Sequence, residues 1–119
     1  MTPAPFARRT WTDYVPSSSR TLLLPLGSCE QHGPHLPLAT DTLIATALVQ
    51  RVADVVEVDV APPLPYGASG EHAGFPGLLS LGNDALESVV LELLRSARST
   101  WPRVVVVSGH GGNVTAVQR

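Results

Sequence analysis

The stretch that decides the fold is residues 21–35, TLLLPLGSCEQHGPH, in which an apolar run passes directly into a polar segment. The apolar part, residues 21–27, is short, continuous and closed by glycine, as is typical of a strand covered on both faces in a parallel sheet. The polar part places Glu30 and His32 on one side of an extended backbone, because side chains two residues apart share a face. The sequence therefore predicts a strand that ends in a carboxylate and an imidazole.

Two more strands and a helix are predicted on either side of a long connection. Apolar residues recur at helical spacing over residues 41–53, which indicates an amphipathic helix. The β-branched runs at 57–61 and 103–108 predict a second and a third strand. Residues 64–82 are dense in Gly and Pro, and a connection of this length in a compact domain is expected to form a binding loop.

Two further helices are predicted from capping residues. Asp84 and Glu87 fit the D-x-x-E form of a capping box, which predicts a helix from Asp84 to about Thr100. Asn113 is expected to cap a third helix, of which residues 114–119 are present.

The order of these elements predicts an α/β fold. The order is strand, helix, strand, loop, helix, strand and the start of a helix, which indicates βαβ units. Such units predict three layers (α/β/α) with a mostly parallel sheet that is incomplete at the C-terminus. Residues 1–20 show no sustained period and are interpreted as an N-terminal leader, and residues 21–119 as part of a single domain. Ligands of such sheets bind beyond the carboxyl ends of the strands, so we expect Glu30, His32, loop 64–82 and His110 at one rim.

Composition restricts the class of protein. The chain has 119 residues and a net charge of −2, and all eight of its basic residues are arginines without a cluster, so nucleic acid is not expected as a partner. No apolar run approaches the roughly 20 residues of a membrane span. Cys29 is the only cysteine, which favours a reducing compartment, and we expect a cytoplasmic protein. Cys29 itself is interpreted as a small packed side chain rather than a nucleophile or soft metal ligand, because alternation directs it away from Glu30 and His32.

Glu30, His32, Asp41 and His110 form the candidate metal site. Two carboxylates and two imidazoles suit Zn²⁺, Mn²⁺ or Fe²⁺, and a carboxylate that bridges two ions would make the site dinuclear. Two structural alternatives remain open. Glu30 and His32 could lie in a solvated turn, and Asp41 could simply cap the first helix.

The remaining polar residues near the strand ends allow several roles. His35 is either an outer hydrogen-bond donor to the site or a turn residue. His72, beside Glu71 in the long loop, is either a substrate contact or a mobile surface histidine. Gly111 and Gly112 permit close backbone approach to a metal or substrate. A phosphate cradle there is the weaker reading, because the G-x-G-x-x-G spacing and a P-loop lysine are both missing.

Five spaced motifs resemble the creatininase (creatinine amidohydrolase) family. They are residues 25–37 (PLGSCEQHGPHLP), 40–42 (TDT), 75–77 (FPG) and 109–113 (GHGGN), with a further segment at 66–72 (YGASGEH) that is similar to members processing the mycofactocin precursor peptide. The resemblance implies an α/β/α fold, a homo-oligomer and a two-metal hydrolase acting on an amide bond of that peptide.

The same resemblance implies roles for individual residues. Glu30, His32, Asp41 and His110 match metal ligands for two ions, Zn²⁺ with Fe²⁺ or Mn²⁺, and Asp41 matches the bridge. Substrate contacts are expected from Ser69, Glu71, His72, Gly111 and Gly112, and an outer hydrogen bond from His35. The catalytic residues are expected beyond Arg119.

Three positions depart from the family pattern. Gly112 stands where the creatinine enzymes have Glu, so creatinine is the less expected substrate. Leu78 stands where Thr is usual, and Ser108 where Asn is common. Because family members are about twice as long, a catalytically incomplete metal-binding fragment is the alternative to an active hydrolase.

Overall fold

A computed structural model of the protein describes residues 5–14, 20–70 and 73–118. The helices and strands, in chain order, are β1 (Thr21–Leu26), α1 (Thr40–Ala53), β2 (Asp59–Val60), α2 (Gly82–Ala97), β3 (Arg103–Ser108) and α3 (Val114–Gln118). Short 3₁₀ turns lie at Phe6–Arg8, Trp11–Asp13 and Gly111–Asn113. The strands form one parallel sheet in the order β2-β1-β3.

β1 lies at the centre of three layers. Leu22, Leu24 and Leu26 are buried on one face of the sheet, where Leu26 packs with Leu86 and Val90 of α2. Leu23 points to the other face, because successive strand residues alternate, and α1 packs against β1 there through its buried side. The prediction of an α/β fold with a parallel sheet is confirmed.

β1, β3 and α1 lie where the sequence predicts them, whereas β2 is shorter. Only Asp59 and Val60 form a strand, instead of residues 57–61. The Ala61 amide still donates to the Leu23 carbonyl at 2.9 Å. Pro62 and Pro63 follow and have no amide hydrogen, so the strand is interrupted there, and pairing with β1 resumes at Leu64, whose amide donates to the Pro25 carbonyl at 2.9 Å.

The three predicted caps are not used in the structure. α1 begins at Thr40 and places Asp41 within its first turn. α2 begins at Gly82, which has a φ of 76°, a backbone conformation that glycine adopts readily and other residues rarely do. Asp84 therefore lies in the first turn of α2, and the predicted capping box is wrong. The side chain of Asn113 bonds to residues outside its own helix, as described below.

The long connection between β2 and α2 is attached to the end of β1. The Gly27 amide donates to the Leu64 carbonyl at 2.9 Å, and the Leu79 amide donates to the Cys29 carbonyl at 3.0 Å. The described part of this connection therefore lies along the carboxyl edge of the sheet, as predicted for loop 64–82.

The amino edge of the sheet is closed by aromatic and charged side chains. The rings of Phe6 and Tyr14 lie 4.6 Å apart, and each lies 5.7 Å from the ring of Trp101. Asp59 accepts hydrogen bonds from Arg20 Nη2 at 2.6 Å and from Trp101 Nε1 at 2.7 Å. None of the helices in the described part of the chain is long and apolar enough to cross a membrane.

Candidate metal centre

Glycines bring the start of α1 close to the ends of β1 and β3. A Cβ at Gly27 would collide with the backbone of Thr42, and a Cβ at Gly109 would collide with the Asp41 carbonyl. These two positions therefore require a residue without a side chain. The close approach places the Asp41 carboxylate between the two strand ends.

Two side chains from the segment after β1 and one from α1 form a compact trio. The His32 Nε2 atom lies 2.9 Å from Asp41 Oδ1 and 3.8 Å from Glu30 Oε1. One potential ligand atom from each of Glu30, His32 and Asp41 lies within 4.8 Å of the others. Such spacing allows all three to contact one ion.

His110 approaches the same carboxylates from the end of β3. Its Nδ1 atom lies 2.9 Å from both Glu30 Oε1 and Asp41 Oδ2. The two oxygens of Asp41 therefore face different imidazoles, Oδ1 toward His32 and Oδ2 toward His110. A carboxylate placed in this way can bind two ions at once.

The structure differs from both structural alternatives at Glu30 and Asp41. Glu30 is only 2% exposed, so it does not lie in a solvated turn, whereas the His32 side chain is 22% exposed next to the turn at residues 33–35. Asp41 does not cap α1, whose N-cap is Ala39, and its carboxylate is directed at the two imidazoles instead.

Each imidazole is oriented by a backbone carbonyl. His32 Nδ1 lies 3.2 Å from the Glu30 carbonyl, and His110 Nε2 lies 3.0 Å from the Ala68 carbonyl. Because a carbonyl only accepts hydrogen bonds, these nitrogens carry the hydrogen and the opposite nitrogens face the carboxylates. This arrangement is usual for histidines that bind metals.

The electrostatics of the trio favour an ionised Asp41. Burial acts to raise the pKa of Asp41, but hydrogen bonds with Ser28 and Glu30, together with His32, hold it below its ordinary value. Burial acts to lower the pKa of His32, but its bond to the Glu30 carbonyl and the charge of Asp41 raise it overall. The cluster thus stabilises positive charge next to its carboxylates.

The donor set fits the divalent metals that the sequence suggests. Two carboxylates and two oriented imidazoles form a nitrogen and oxygen set typical of Zn²⁺, Mn²⁺ or Fe²⁺. The Ser28 hydroxyl donates to Asp41 Oδ2 at 2.8 Å and fixes the orientation of the carboxylate. The residues present therefore fit the metal ions that the resemblance implies.

The other predicted site residues are less closely tied to the cluster. Ser69 is fully buried, and among the described residues its hydroxyl has no hydrogen-bond partner. Gly111 and Gly112 begin the 3₁₀ turn after His110, and His35 is exposed in the turn after His32. Glu71 and His72 lie outside the described residues. The roles of all these residues remain predictions.

Sequence reasoning missed three groups that hold the cluster together: Ser28, the Ala68 carbonyl and the Asn113 side chain. Ser28 lies two residues before Glu30, and that spacing could have indicated a shared face. Cys29 instead lies with its Sγ atom 3.5 Å from the Gly77 carbonyl, which agrees with a packed side chain.

The fold and the site define an α/β protein with a buried histidine and carboxylate cluster at the carboxyl rim of a parallel sheet. The sequence model of the creatininase family, described as creatinine amidohydrolase, matches residues 7–119. The chain therefore belongs to the creatininase family.

Several relatives show where this chain lies within the family. A mycofactocin precursor peptide peptidase from Mycolicibacterium smegmatis is 53% identical over 102 residues, which are 81% of this chain and 41% of the relative. A crystal structure of creatinine amidohydrolase is 33% identical and superposes with a TM-score of 0.85, over 95% of this chain and 49% of that one. A creatininase variant described as a Zn-Zn type is 32% identical and also gives 0.85, over 95% and 48%. The chain thus spans less than half the length of these relatives.

Proposed function

We propose that this chain carries the metal-binding half of a metal-dependent amidohydrolase that cleaves a peptide amide bond. The observation that supports the proposal best is the meeting of Glu30, His32, Asp41 and His110, with each Asp41 oxygen 2.9 Å from a different imidazole. Four side chains from three distant parts of the sequence form one buried cluster.

The four side chains would hold two divalent ions, with Asp41 between them. We propose Zn²⁺ with Fe²⁺ or Mn²⁺, and the Zn-Zn creatininase relative supports at least the first. When bound, such ions polarise a carbonyl and lower the pKa of water from 15.7 to about 7.

The protein's own groups would orient the site and exclude bulk water from it. The Glu30 and Ala68 carbonyls hold the two imidazoles, and Ser28 holds Asp41. Because Glu30, Asp41 and His110 are buried, a divalent ion would be held in a medium less polar than water, where its attraction to the two carboxylates is stronger.

The proposed substrate is the modified mycofactocin precursor peptide. The relative at 53% identity, named for that peptide, supports this choice. Gly112 also supports it, because the creatinine enzymes have Glu at this position. Contacts to the peptide are proposed from Ser69, Glu71, His72, Gly111 and Gly112, and an outer hydrogen bond from His35. Creatinine or another cyclic amide is the alternative substrate.

The setting of the site is also part of the proposal. We propose residues 1–20 as a leader and 21–119 as the N-terminal part of one creatininase-like domain, with catalytic groups located beyond Arg119. A homo-oligomer is proposed by analogy with the family, and a cytoplasmic location from the single cysteine.

Metal analysis combined with a hydrolysis assay tests the proposal. The purified chain is dialysed against chelator, reloaded with zinc and incubated with the modified precursor peptide. Two tightly held ions per chain are expected for the active hydrolase, and release of a C-terminal portion of the peptide is expected once the polypeptide that supplies the catalytic groups is present. A chain that binds no divalent ion would contradict the metal site itself.

A catalytically incomplete fragment is the second candidate. It is favoured by the coverage of only 41% of the M. smegmatis relative. This candidate predicts one weakly held ion and no turnover by the same chain. Its test is complementation, in which a polypeptide matching the missing part of the relative restores hydrolysis.

A further inference from the structure

The side chain of Asn113 joins three segments around the metal cluster. Its Oδ1 atom accepts from the Ala68 amide at 2.9 Å, and its Nδ2 atom donates to the Gly27 carbonyl at 3.1 Å and to Ser108 Oγ at 3.2 Å. The residue is fully buried. The ends of β1 and β3 and the long connection thus meet at one amide group.

These partners fix the orientation of the amide. The Ala68 amide is a donor and requires an oxygen opposite it, whereas the Gly27 carbonyl is an acceptor and requires an NH₂ group. A flipped amide would lose both bonds. The fit is close, because a Cβ at Gly67 would collide with Asn113 Oδ1 and with the Gly27 carbonyl.

The Asn113 amide acts on the candidate metal site through one peptide unit. Ala68 donates its amide to Asn113, and its own carbonyl accepts from His110 Nε2 at 3.0 Å. The opposite nitrogen of His110 lies 2.9 Å from Glu30 and Asp41. A shift of Ala68 therefore moves the acceptor that orients the His110 ring.

We propose that Asn113 is a positioning residue that holds the Ala68 carbonyl in place, so that His110 keeps its hydrogen on Nε2 and presents Nδ1 to the metal. This inference rests on the proposed metal-dependent function. The backbone amide of Asn113 donates to the His110 carbonyl at 3.2 Å, but the Asn113 side chain does not bond to the His110 ring, and its effect on the ring passes through Ala68.

Two substitutions separate positioning from simple packing. Asn113→Ala removes the acceptor for Ala68, and zinc affinity is expected to fall about 10–100-fold, as for other residues that orient metal ligands. Asn113→Asp keeps an oxygen facing the Ala68 amide but loses the donor to the Gly27 carbonyl, so its urea midpoint is expected to fall while its loss of zinc affinity stays smaller than that of Asn113→Ala. Zinc affinity is measured by competition with a chelating dye, and folding by the urea midpoint.

Ser80→Ala is the matched control. Its Oγ atom accepts from the Ser69 amide at 2.8 Å, so it holds the neighbouring residue of the same connection without touching Ala68 or His110. Ser80→Ala is expected to change the urea midpoint and leave zinc affinity unchanged. An equal loss of zinc affinity in Ser80→Ala would show that any loosening of this connection suffices, and would overturn the specific role of Asn113.

A measurement on the parent chain does not depend on whether Asn113→Ala folds. Long-range ¹H–¹⁵N spectra of the zinc-loaded protein are expected to show the His110 hydrogen on Nε2 and the metal on Nδ1. The hydrogen on Nδ1 would overturn the inference, as would full zinc affinity in Asn113→Ala or an equal loss in Asn113→Asp. If the parent chain binds zinc and the Asn113 variants keep the same zinc affinity, only the role of Asn113 is rejected. If the parent chain does not bind zinc, the proposed function and this inference are rejected together.

Discussion

Asp41 and Asp59 are both buried, yet they lie at opposite ends of the sheet and are neutralised in different ways. At the amino edge, Asp59 accepts two hydrogen bonds from the Arg20 guanidinium, at 2.6 and 3.1 Å, and one from the Trp101 indole. At the carboxyl rim, Asp41 shares its surroundings with a second carboxylate, Glu30, and with two imidazoles.

The difference shows which of the two sites is complete within the fold. A guanidinium is charged at every accessible pH, so Asp59 has a permanent counter-ion. The imidazoles beside Asp41 can be neutral, and two carboxylates close together then call for an external cation. Asp59 therefore contributes to stability, whereas the surroundings of Asp41 agree with the proposed metal site.

The largest expected effect is the loss of zinc affinity in Asp41→Asn. The variant removes the charge that faces both imidazoles, so zinc affinity is expected to fall by more than about 100-fold, beyond the loss seen for residues that only orient ligands. Competition with a chelating dye measures the affinity. Asp59→Asn is the control at the other end of the sheet, and an equal loss there would erase the distinction between the two aspartates.

The second effect is a loss of stability in Asp59→Asn. The variant weakens the bonds to Arg20 and Trp101 in a partly buried setting, and the free energy of unfolding is expected to fall by about 1–3 kcal/mol. Urea denaturation in chelator measures it. Glu92→Gln breaks an exposed ion pair with Arg95 and is expected to change stability by less than about 1 kcal/mol. Similar values for the two variants would contradict a structural role for Asp59.

The pH dependence of stability tests whether the charge of Asp59 stabilises the fold. Burial acts to raise the pKa of Asp59, but hydrogen bonds from Arg20 and Trp101 and the charges of Arg20 and Arg9 hold it below its ordinary value of 3.8. The stabilisation is therefore fully present well above pH 3.8 and is lost as the pH falls through the lower pKa of the folded state. Urea midpoints of the parent and Asp59→Asn are expected to differ at pH 6 and to converge toward pH 3. A constant difference would show that the charge of Asp59 is not involved.

The smallest effect concerns two serines that are equally buried at the rim. Ser69 has no hydrogen-bond partner among the described residues, so Ser69→Ala is expected to leave stability unchanged or raise it by up to about 1 kcal/mol. Ser28→Ala loses the bond to Asp41 and is expected to lower stability. Thermal unfolding in chelator compares them. A marked loss in Ser69→Ala would reveal a partner for its hydroxyl.

Much of the fold was predictable because its signals are local. Continuous apolar runs predict β1 and β3, and helical spacing predicts α1. The meeting of Glu30, His32 and His110 also follows from the sequence, since parallel strands bring their carboxyl ends to one rim. The start of α2 was not predictable in this way, because the conformation of Gly82 decides it.

The outer parts of the site could not be predicted, because they depend on contacts between distant segments. The Ala68 carbonyl has no sequence signature, and its bond to His110 spans 42 residues. Asn113 has the signature of a helix cap, but its amide bonds to Ala68 and Gly27 instead. A pattern of residue types cannot distinguish a local partner from one that the fold brings close.

The most direct test of the central claim is the location of zinc in a crystal of the metal-loaded chain. Anomalous scattering at the zinc edge is expected to show zinc ions about 2.0–2.2 Å from oxygens of Glu30 and Asp41 and nitrogens of His32 and His110, with Asp41 shared between two ions. Zinc bound only elsewhere, with these four side chains still bonded to one another, would contradict the account.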